Sequence, residues 1–185
     1  MLVAVSKTVP IETVRAAHEL GLDCFGENRA QELLAKADAV DGCTWHMICR
    51  VQTNKVRALS ERVAMWHSVD RPALVDELAR RSVRAPVLLE VNVAGEATKG
   101  GCARDDLDAL LDHARERNLD VRGLMTVPPA GADPRPHFDW LRAAAGERGL
   151  AELSMGMSGD FEVAIEHGAT IVRVGTAIFG ARARP

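Results

Sequence analysis

Eight short apolar segments alternate with stretches of helical periodicity along the 185-residue chain, and this alternation limits the possible folds more than any other feature. Parallel strands that are covered on both faces have nearly continuous apolar sequences of this kind. Because strands separated by helices pair in parallel, the order predicts a parallel sheet. The eight predicted strands are 2–6, 23–27, 45–49, 64–68, 87–93, 121–127, 152–157 and 170–174.

The segments between the predicted strands carry helix signals. Residues 8–10, with Pro10, are typical of a helix start, and Gly21 is typical of a helix end. Two further segments have the spacing of an amphipathic helix. The positions predicted to share an apolar face are Leu107, Leu110, Leu111 and Ala114 in one segment, and Phe161, Ala164, Ile165 and Gly168 in the other.

Eight strands in this alternation predict a closed (β/α)8 barrel, as one domain over residues 1–185. A doubly wound open sheet is the alternative, but no strand is followed by a GxGxxG motif, which favours the barrel. Two features are unusual. The chain is shorter than most such barrels, and only AIFGARARP follows the last strand, which is too short for a full closing helix.

Composition argues against several classes of function. The net charge is −3 and no basic run is interleaved with aromatic residues, so we expect no nucleic-acid partner. The start, MLVAVSK, lacks the pattern of a signal peptide, and no apolar run is long enough to cross a membrane. The four cysteines are irregularly spaced without a CxxC motif, as is typical of reduced thiols. We therefore expect a cytoplasmic protein.

Glycines and hydroxyl residues follow the last two predicted strands, in MGMSGD and RVGTAIFG. Phosphate sites in (β/α)8 barrels are frequently built from these two loops. Gly175 lets an anion approach the backbone N–H groups, and Ser158 and Thr176 add hydroxyls. Ser158 or Asp160 alone would be explained as a helix cap. Both loops together predict a phosphate site.

Lys7 ends the first apolar segment, where a lysine either meets solvent or supplies a reactive amine. In a closed barrel the first strand lies about 4.8 Å from the eighth, so Lys7 would stand beside the phosphate loops. This combination suits an aldehyde that carries a phosphate, either pyridoxal 5′-phosphate or a sugar phosphate of an aldolase. Lys99, in the glycine-rich stretch GEATKGG, is a weaker candidate because we expect that loop to be exposed.

Arg173 shares one face of its strand with Ile171 and Gly175, so it is predicted to point into the barrel. An unpaired guanidinium there is costly. Arg173 either pairs with Glu90 or faces a pyridine nitrogen, which an always-charged arginine would keep unprotonated.

Two histidines also lie within predicted strands. His46 and Cys49 are three residues apart and face opposite sides of a strand, so we expect no metal ion between them. His67 either lines the barrel interior or makes a hydrogen bond in the core.

Eight segments between Leu2 and Arg182 carry a resemblance to a known family: LVAVSKTVP, CFGENRAQE, WHMICRVQTNKVR, HSVDR, LLEVNVAGEATKGG, GLMTVPP, LSMGMSGDFEVAIEHG and RVGTAIFGAR. In this order they resemble the pyridoxal 5′-phosphate homeostasis proteins. This resemblance implies the (β/α)8 barrel of the alanine racemase N-terminal domain without that enzyme's second domain. It also implies covalent binding of pyridoxal 5′-phosphate, a role in cofactor supply, and no established catalytic activity.

The resemblance also implies roles for individual residues. Lys7 would be the Schiff-base lysine, Arg173 would face the pyridine nitrogen, and Asn28 would lie near the ring hydroxyl. Pyridoxal 5′-phosphate would be the ligand, and enzymes that need it would be possible recipients. The chain departs from the family at Cys49, where members usually have glycine. The implied phosphate ligands are Ser158, Gly175 and Thr176.

A racemase-like enzyme is the alternative to a cofactor carrier. A two-base racemase needs a proton acceptor on each face of the cofactor, and Lys7 serves one face only. In alanine racemase the second acceptor is a tyrosine of the second domain, whereas this chain contains no tyrosine. We therefore expect a non-catalytic carrier.

Members of the family normally carry a helical segment before the first strand, and here only Met1 precedes it. The seam between the eighth and first strands is therefore expected to lack a cover. We expect the apolar outer faces of these two strands to be exposed in this chain. Either another chain covers them or the natural protein starts earlier, and we favour the earlier start. The residues expected to be exposed are Leu2, Ala4, Val172 and Val174.

Overall fold

Eight parallel strands form one sheet in the computed structural model, which describes residues 1–81 and 85–180. The strands are β1 (Leu2–Val5), β2 (Cys24–Glu27), β3 (Thr44–Met47), β4 (Val63–Val69), β5 (Val87–Glu90), β6 (Val121–Met125), β7 (Glu152–Ser154) and β8 (Val172–Val174). The hydrogen-bonded order is β7-β6-β5-β4-β3-β2-β1-β8. A bridge between Ser154 and Ile171 brings the two ends of the sheet together. The predicted (β/α)8 barrel is therefore confirmed, with the open sheet as the rejected alternative.

Helices connect the strands and pack around the sheet. They are α1 (Ile11–Glu19), α2 (Ala30–Ala39), α3 (Val56–Leu59), α4 (Pro72–Arg80), α5 (Leu107–Glu116), α6 (Arg135–Glu147), α7 (Phe161–Glu166) and α8 (Thr176–Phe179). Within the described residues, no helix has both the length and the apolarity needed to cross a membrane. The final residues of the RVGTAIFGAR segment, from 181 onward, lie outside the described residues.

The two predicted amphipathic faces have different outcomes. All four apolar positions of α5 are buried, as predicted. In α7 only Ala164 is buried, whereas Ile165 is 54% exposed. The prediction is wrong at Ile165 because Val163, not Ile165, packs against the core beside Ala164. It is wrong at Gly168 because α7 ends at Glu166, and Gly168, with φ of 96°, turns the chain toward β8.

Several strands end earlier than predicted. β3, β5 and β7 stop two to three residues before the predicted ends at 49, 93 and 157. The apolar pattern continues past the strands because loop residues such as Val93 and Met155 are also buried. At Gly156 the backbone turns with φ of 91°, and a Cβ there would lie 2.5 Å from the Cβ of Ala164. These loops form the rim of the barrel.

Apolar side chains pack in two places. Most of them lie between the sheet and the helices, in one continuous core. A smaller cluster fills the barrel interior, and its members lie on the inward face of their strands. They are Val3, Met65, Leu88, Met125 and Ile171. This cluster supports the groups that line the mouth of the barrel.

The seam between β8 and β1 is better covered than expected. Three of the four residues expected to be exposed, Ala4, Val172 and Val174, are buried, and Leu2 is 42% exposed. Ala4 belongs to the main core, and the two apolar residues that end α8 pack against the same core. The expectation is wrong for these three positions. For Ala4 the reason is that α8, although short, follows β8 directly and adds side chains to the core in which Ala4 lies.

Candidate functional site

The loops at the carboxyl ends of the strands surround a cavity of about 470 Å³, a size that suits a small molecule. The structure brings all six predicted site residues to its wall: Lys7, Asn28, Ser158, Arg173, Gly175 and Thr176. Other wall residues were not predicted to contact a ligand, among them Ile48, Arg50, Glu90 and Val127. The alternation of side chains along a strand could have indicated two of them. Glu90 and Val127 lie two residues beyond the inward-facing Leu88 and Met125, so they share the inward face.

Lys7 lies two residues beyond β1, and its half-buried side chain reaches the cavity wall. The backbone is held on either side of it: Ser6 N–H donates to the carbonyl of Gly26, and Val9 N–H donates to the carbonyl of Ser6. Among the described residues, no hydrogen bond or ion pair occupies the Lys7 amine. The amine is therefore available to a ligand in the cavity.

Backbone N–H groups converge on the hydroxyl of Ser158, a residue of the cavity wall. The N–H groups of Gly175 and Ala177 donate to Ser158 Oγ over 3.1 and 3.2 Å. The loop that carries Ser158 is held in turn by Asp160, whose carboxylate accepts from Met157 N–H at 2.6 Å. Two N–H donors and a hydroxyl at one point are suited to an anion. We call this group, formed by Ser158, Gly175, Thr176 and Ala177, the anion cradle.

Arg173 lies at the base of the cavity and is only 4% exposed. Its guanidinium donates to Ser154 Oγ at 2.7 Å and to the carbonyl of Thr126 at 3.0 Å. Burial lowers the pKa of Arg173 to about 10, so the group stays charged at neutral pH. Within the described residues Arg173 forms no ion pair, so the alternative in which it pairs with Glu90 is not realised. Its inward orientation is confirmed.

A chain of buried hydrogen bonds continues from Arg173 through the barrel interior. His67 Nδ1 lies 2.9 Å from Ser154 Oγ, and His67 Nε2 lies 3.0 Å from His46 Nδ1. His46 Nε2 lies 3.6 Å from Cys24 Sγ. A guanidinium can only donate, so Ser154 Oγ accepts from Arg173 and its own hydrogen is free to donate to His67 Nδ1. In that arrangement each histidine donates from Nε2. The hypothesis that His67 makes a core hydrogen bond is confirmed.

These hydrogen bonds need neutral histidines, and the burial of the side chains favours the neutral forms. Burial lowers the pKa of His46 to about 4 and moves the pKa of His67 well below its ordinary value. Burial also raises the pKa of the Cys24 thiol to about 11. At neutral pH both histidines are therefore neutral. Among the five hydrogen-bonded side chains, only that of Arg173 is charged.

Two buried acceptors at the cavity have no partner within the described residues. They are Asn28 Oδ1 and Glu90 Oε2. Burial, with a contribution from Asp70, raises the pKa of the Glu90 carboxyl. Since an unpaired buried acceptor is costly, both atoms favour a ligand that brings hydrogen-bond donors.

Comparison with known proteins agrees with this geometry. The family model for the alanine racemase N-terminal domain matches residues 1–183. The chain is 47% identical to the pyridoxal phosphate homeostasis protein of Aquifex aeolicus, over 98% of this chain and 86% of that protein. It is also 47% identical to the protein of the same name from Pseudomonas aeruginosa, over 98% of this chain and 84% of that protein.

Solved structures show the same barrel. PipY of Synechococcus elongatus, with pyridoxal phosphate bound, superposes with a TM-score of 0.90 at 35% identity, over 97% of this chain and 92% of PipY. Alanine racemase of Corynebacterium glutamicum superposes with a TM-score of 0.78 at 19% identity, over 99% of this chain and 56% of the racemase, and shares the fold. The chain therefore belongs to the alanine racemase N-terminal domain family, and within it to the pyridoxal phosphate homeostasis proteins.

Proposed function

We propose that this protein binds pyridoxal 5′-phosphate in the cavity, linked to Lys7 as a Schiff base, and takes part in supplying the cofactor in the cytoplasm. One observation carries the proposal: an amine without a partner among the described residues, an anion cradle and a buried guanidinium meet at one cavity. The relatives support it, because PipY has been solved with this cofactor bound and the curated relatives are named for its homeostasis. Enzymes that require the cofactor are the proposed recipients.

The residues of the cavity fit each part of the cofactor. The phosphate would take the converging N–H groups of the anion cradle, which now donate to Ser158 Oγ. The ring hydroxyl would supply the donor that Asn28 Oδ1 lacks. Arg173 would donate to the ring nitrogen from the base of the cavity.

The chemistry of the bound group explains why the amine and the guanidinium matter. When bound, the cofactor supplies an aldehyde that condenses with amines and a ring that can withdraw electrons from them. Lys7 would hold the group reversibly, since an imine releases its amine on hydrolysis. Arg173 keeps its proton at neutral pH, so it would leave the ring nitrogen unprotonated and make the ring a weak electron sink.

These residues favour a carrier over a racemase-like enzyme. Racemisation needs proton transfer on both faces of the ring, and the chain has no tyrosine to stand opposite Lys7. An uncharged ring nitrogen also removes much of the stabilisation that an amino-acid carbanion needs. We therefore propose that the protein holds and releases the cofactor without turning over an amino acid.

A charge placed in the anion cradle is expected to discriminate between phosphorylated and unphosphorylated ligands. Ser158→Asp puts a carboxylate where the phosphate would bind, whereas Ser158→Asn has the same shape and no charge. Since charged hydrogen bonds contribute about 1.5–3 kcal/mol each, Ser158→Asp should weaken pyridoxal 5′-phosphate binding by roughly 100-fold relative to Ser158→Asn. Titrations with pyridoxal, which has no phosphate, should give similar affinities for both variants. Equal losses of affinity for the two ligands would show that the phosphate group does not bind at this loop.

The carrier role is tested by hydrogen exchange at the α-carbon of alanine. We expect the loaded protein in deuterated water to exchange this hydrogen no faster than free pyridoxal 5′-phosphate at the same concentration, as followed by NMR. Exchange at an enzyme-like rate, on the order of 1 s⁻¹ or above, would contradict the carrier proposal and favour the racemase alternative.

A further inference from the structure

Three charged side chains lie behind the cavity wall and enclose the backbone that carries Lys7. Glu27 ends β2, and Glu32 and Lys36 lie one turn apart on α2. Lys36 Nζ lies 2.5 Å from Glu27 Oε1 and 3.6 Å from Glu32 Oε2. The side chains of Lys36 and Glu27 are 5% and 0% exposed. We call Glu27, Glu32 and Lys36 the Lys36 cluster.

The Lys36 cluster binds the residue before Lys7. Lys36 Nζ donates to the carbonyl of Ser6 at 2.6 Å, and Ser6 Oγ donates to Glu27 Oε1 at 2.7 Å. Ser6 is fully buried. Both the backbone and the side chain of Ser6 are therefore fixed to a buried ion pair, at the point where β1 ends.

The cluster also binds the residue after Lys7. Thr8 N–H donates to Glu32 Oε2 at 2.7 Å. Thr8 has φ of 63°, a left-handed conformation that β-branched residues rarely adopt and that persists only where the surroundings enforce it. The contact with Glu32 is one such constraint, so Lys7 stands between two anchored residues.

Stability alone explains this arrangement poorly. Removing two charges from water is costly, and a buried ion pair often contributes less than apolar residues of similar volume. Glu27 Oε2 has no partner within the described residues, and burial raises the pKa of the Glu27 carboxyl. What the cluster does provide is a defined geometry on both sides of one lysine.

We propose that the Lys36 cluster is a positioning device for Lys7, which fixes the backbone at Ser6 and Thr8 so that the amine meets an aldehyde in the cavity. The inference rests on the proposed function, since it assigns the cluster a role in forming the covalent link. Glu27, Glu32 and Lys36 are positioning residues: they act through the backbone of Lys7 and lie outside the cavity wall.

The test compares the rate of covalent attachment with the affinity for a ligand that cannot attach. Attachment of pyridoxal 5′-phosphate is followed by absorbance in stopped flow, and affinity is measured with pyridoxine 5′-phosphate, which has an alcohol in place of the aldehyde. Because a displacement of about 1 Å can cost roughly 100-fold in rate, Glu32→Ala should slow attachment at least about tenfold. Its affinity for pyridoxine 5′-phosphate should stay close to that of the unmodified protein.

Matched variants separate positioning from general destabilisation. Glu32→Gln keeps an oxygen that can accept from Thr8 N–H, so it should restore most of the attachment rate. Asp38 lies on the same helix as Glu32 and makes an exposed ion pair with Arg62, which precedes β4. Asp38→Ala removes this pair and should leave the rate unchanged. Lys36→Met should slow attachment further, but it also leaves Glu27 without a counter-ion. If this variant does not fold for that reason, the comparison of Glu32→Ala with Glu32→Gln tests the positioning role.

The outcomes separate this inference from the proposed function. If the unmodified protein forms no covalent link through Lys7, the proposed function fails. If it does, but Glu32→Ala attaches the cofactor as fast as Glu32→Gln, the positioning role is wrong. Parallel losses in attachment rate and in affinity for pyridoxine 5′-phosphate would also overturn it, because they would indicate a distorted cavity.

Discussion

Replacing Lys7 with alanine is expected to abolish covalent attachment of pyridoxal 5′-phosphate while the barrel stays folded. Lys7 is half-buried, and within the described residues its amine holds no other group in place, so its loss removes no internal hydrogen bond or ion pair. Arg173 and the anion cradle remain and should still bind the cofactor, without the covalent link. Lys7→Ala should therefore lose the visible absorbance of the Schiff base completely, and intact-mass analysis after borohydride treatment should find no adduct.

Lys99→Ala is the matched control for this prediction. Lys99 lies in the loop after β5, where its amine donates to the carbonyl of Pro128 at 2.9 Å and pairs with Glu96. We expect this variant to keep the absorbance band and the adduct. Circular dichroism and thermal melting should show that both variants are folded. A full adduct on Lys7→Ala would show that another lysine carries the cofactor.

Acidification is expected to weaken the folded state through the buried histidines. The pKa of His46 is about 4 in the folded protein, below its ordinary 6.5, so the unfolded chain binds more protons between these values. The stability that neutral His46 contributes is therefore fully present above the ordinary pKa and is lost as pH falls toward 4, with His67 acting in the same direction. At about pH 5 the loss attributable to His46 alone should be about 2 kcal/mol of unfolding free energy.

The measurement is denaturant unfolding at neutral pH and near pH 5, for the unmodified protein and for His46→Gln. Glutamine does not titrate, so the variant should lose less stability on acidification even if it is less stable at neutral pH. Met65→Ala controls for general destabilisation, because Met65 is the register partner of His46 on β4 and is buried in the barrel interior. It should keep the pH dependence of the unmodified protein. An unchanged dependence in His46→Gln would contradict the buried, neutral histidine.

The sequence allowed the barrel and the wall of the cavity to be predicted for a simple reason. Alternation along a strand is a local property, so the inward orientation of Arg173 follows from Ile171 and Gly175 alone. The placement of Lys7 beside the anion cradle follows once the barrel closes, and the register of β1 with β8 sets Val3 opposite Arg173. The orientation of Arg173 and the placement of Lys7 need only the order of strands and helices and the alternation along each strand. Both can be read from the sequence.

Pairings between distant side chains could not be predicted in the same way. Ser154 and His67 are 87 residues apart, and their hydrogen bond depends on the shear of the closed barrel. Likewise, an amphipathic pattern does not reveal that Lys36 on α2 turns inward to Glu27. The covering of the seam was also misjudged. Helix α8 has only four residues, too few to show a helical period, yet its Ile178 and Phe179 pack against the core that contains Ala4.

Peptide mapping of the borohydride-reduced protein tests the central claim most directly. The unmodified protein is loaded with pyridoxal 5′-phosphate, reduced to convert the imine into a stable secondary amine, digested and analysed by mass spectrometry. We predict a single major adduct, on Lys7, formed in proportion to the visible absorbance that the reduction removes. A major adduct on Lys99 or Lys55, or absorbance that disappears without modification of Lys7, would contradict the account.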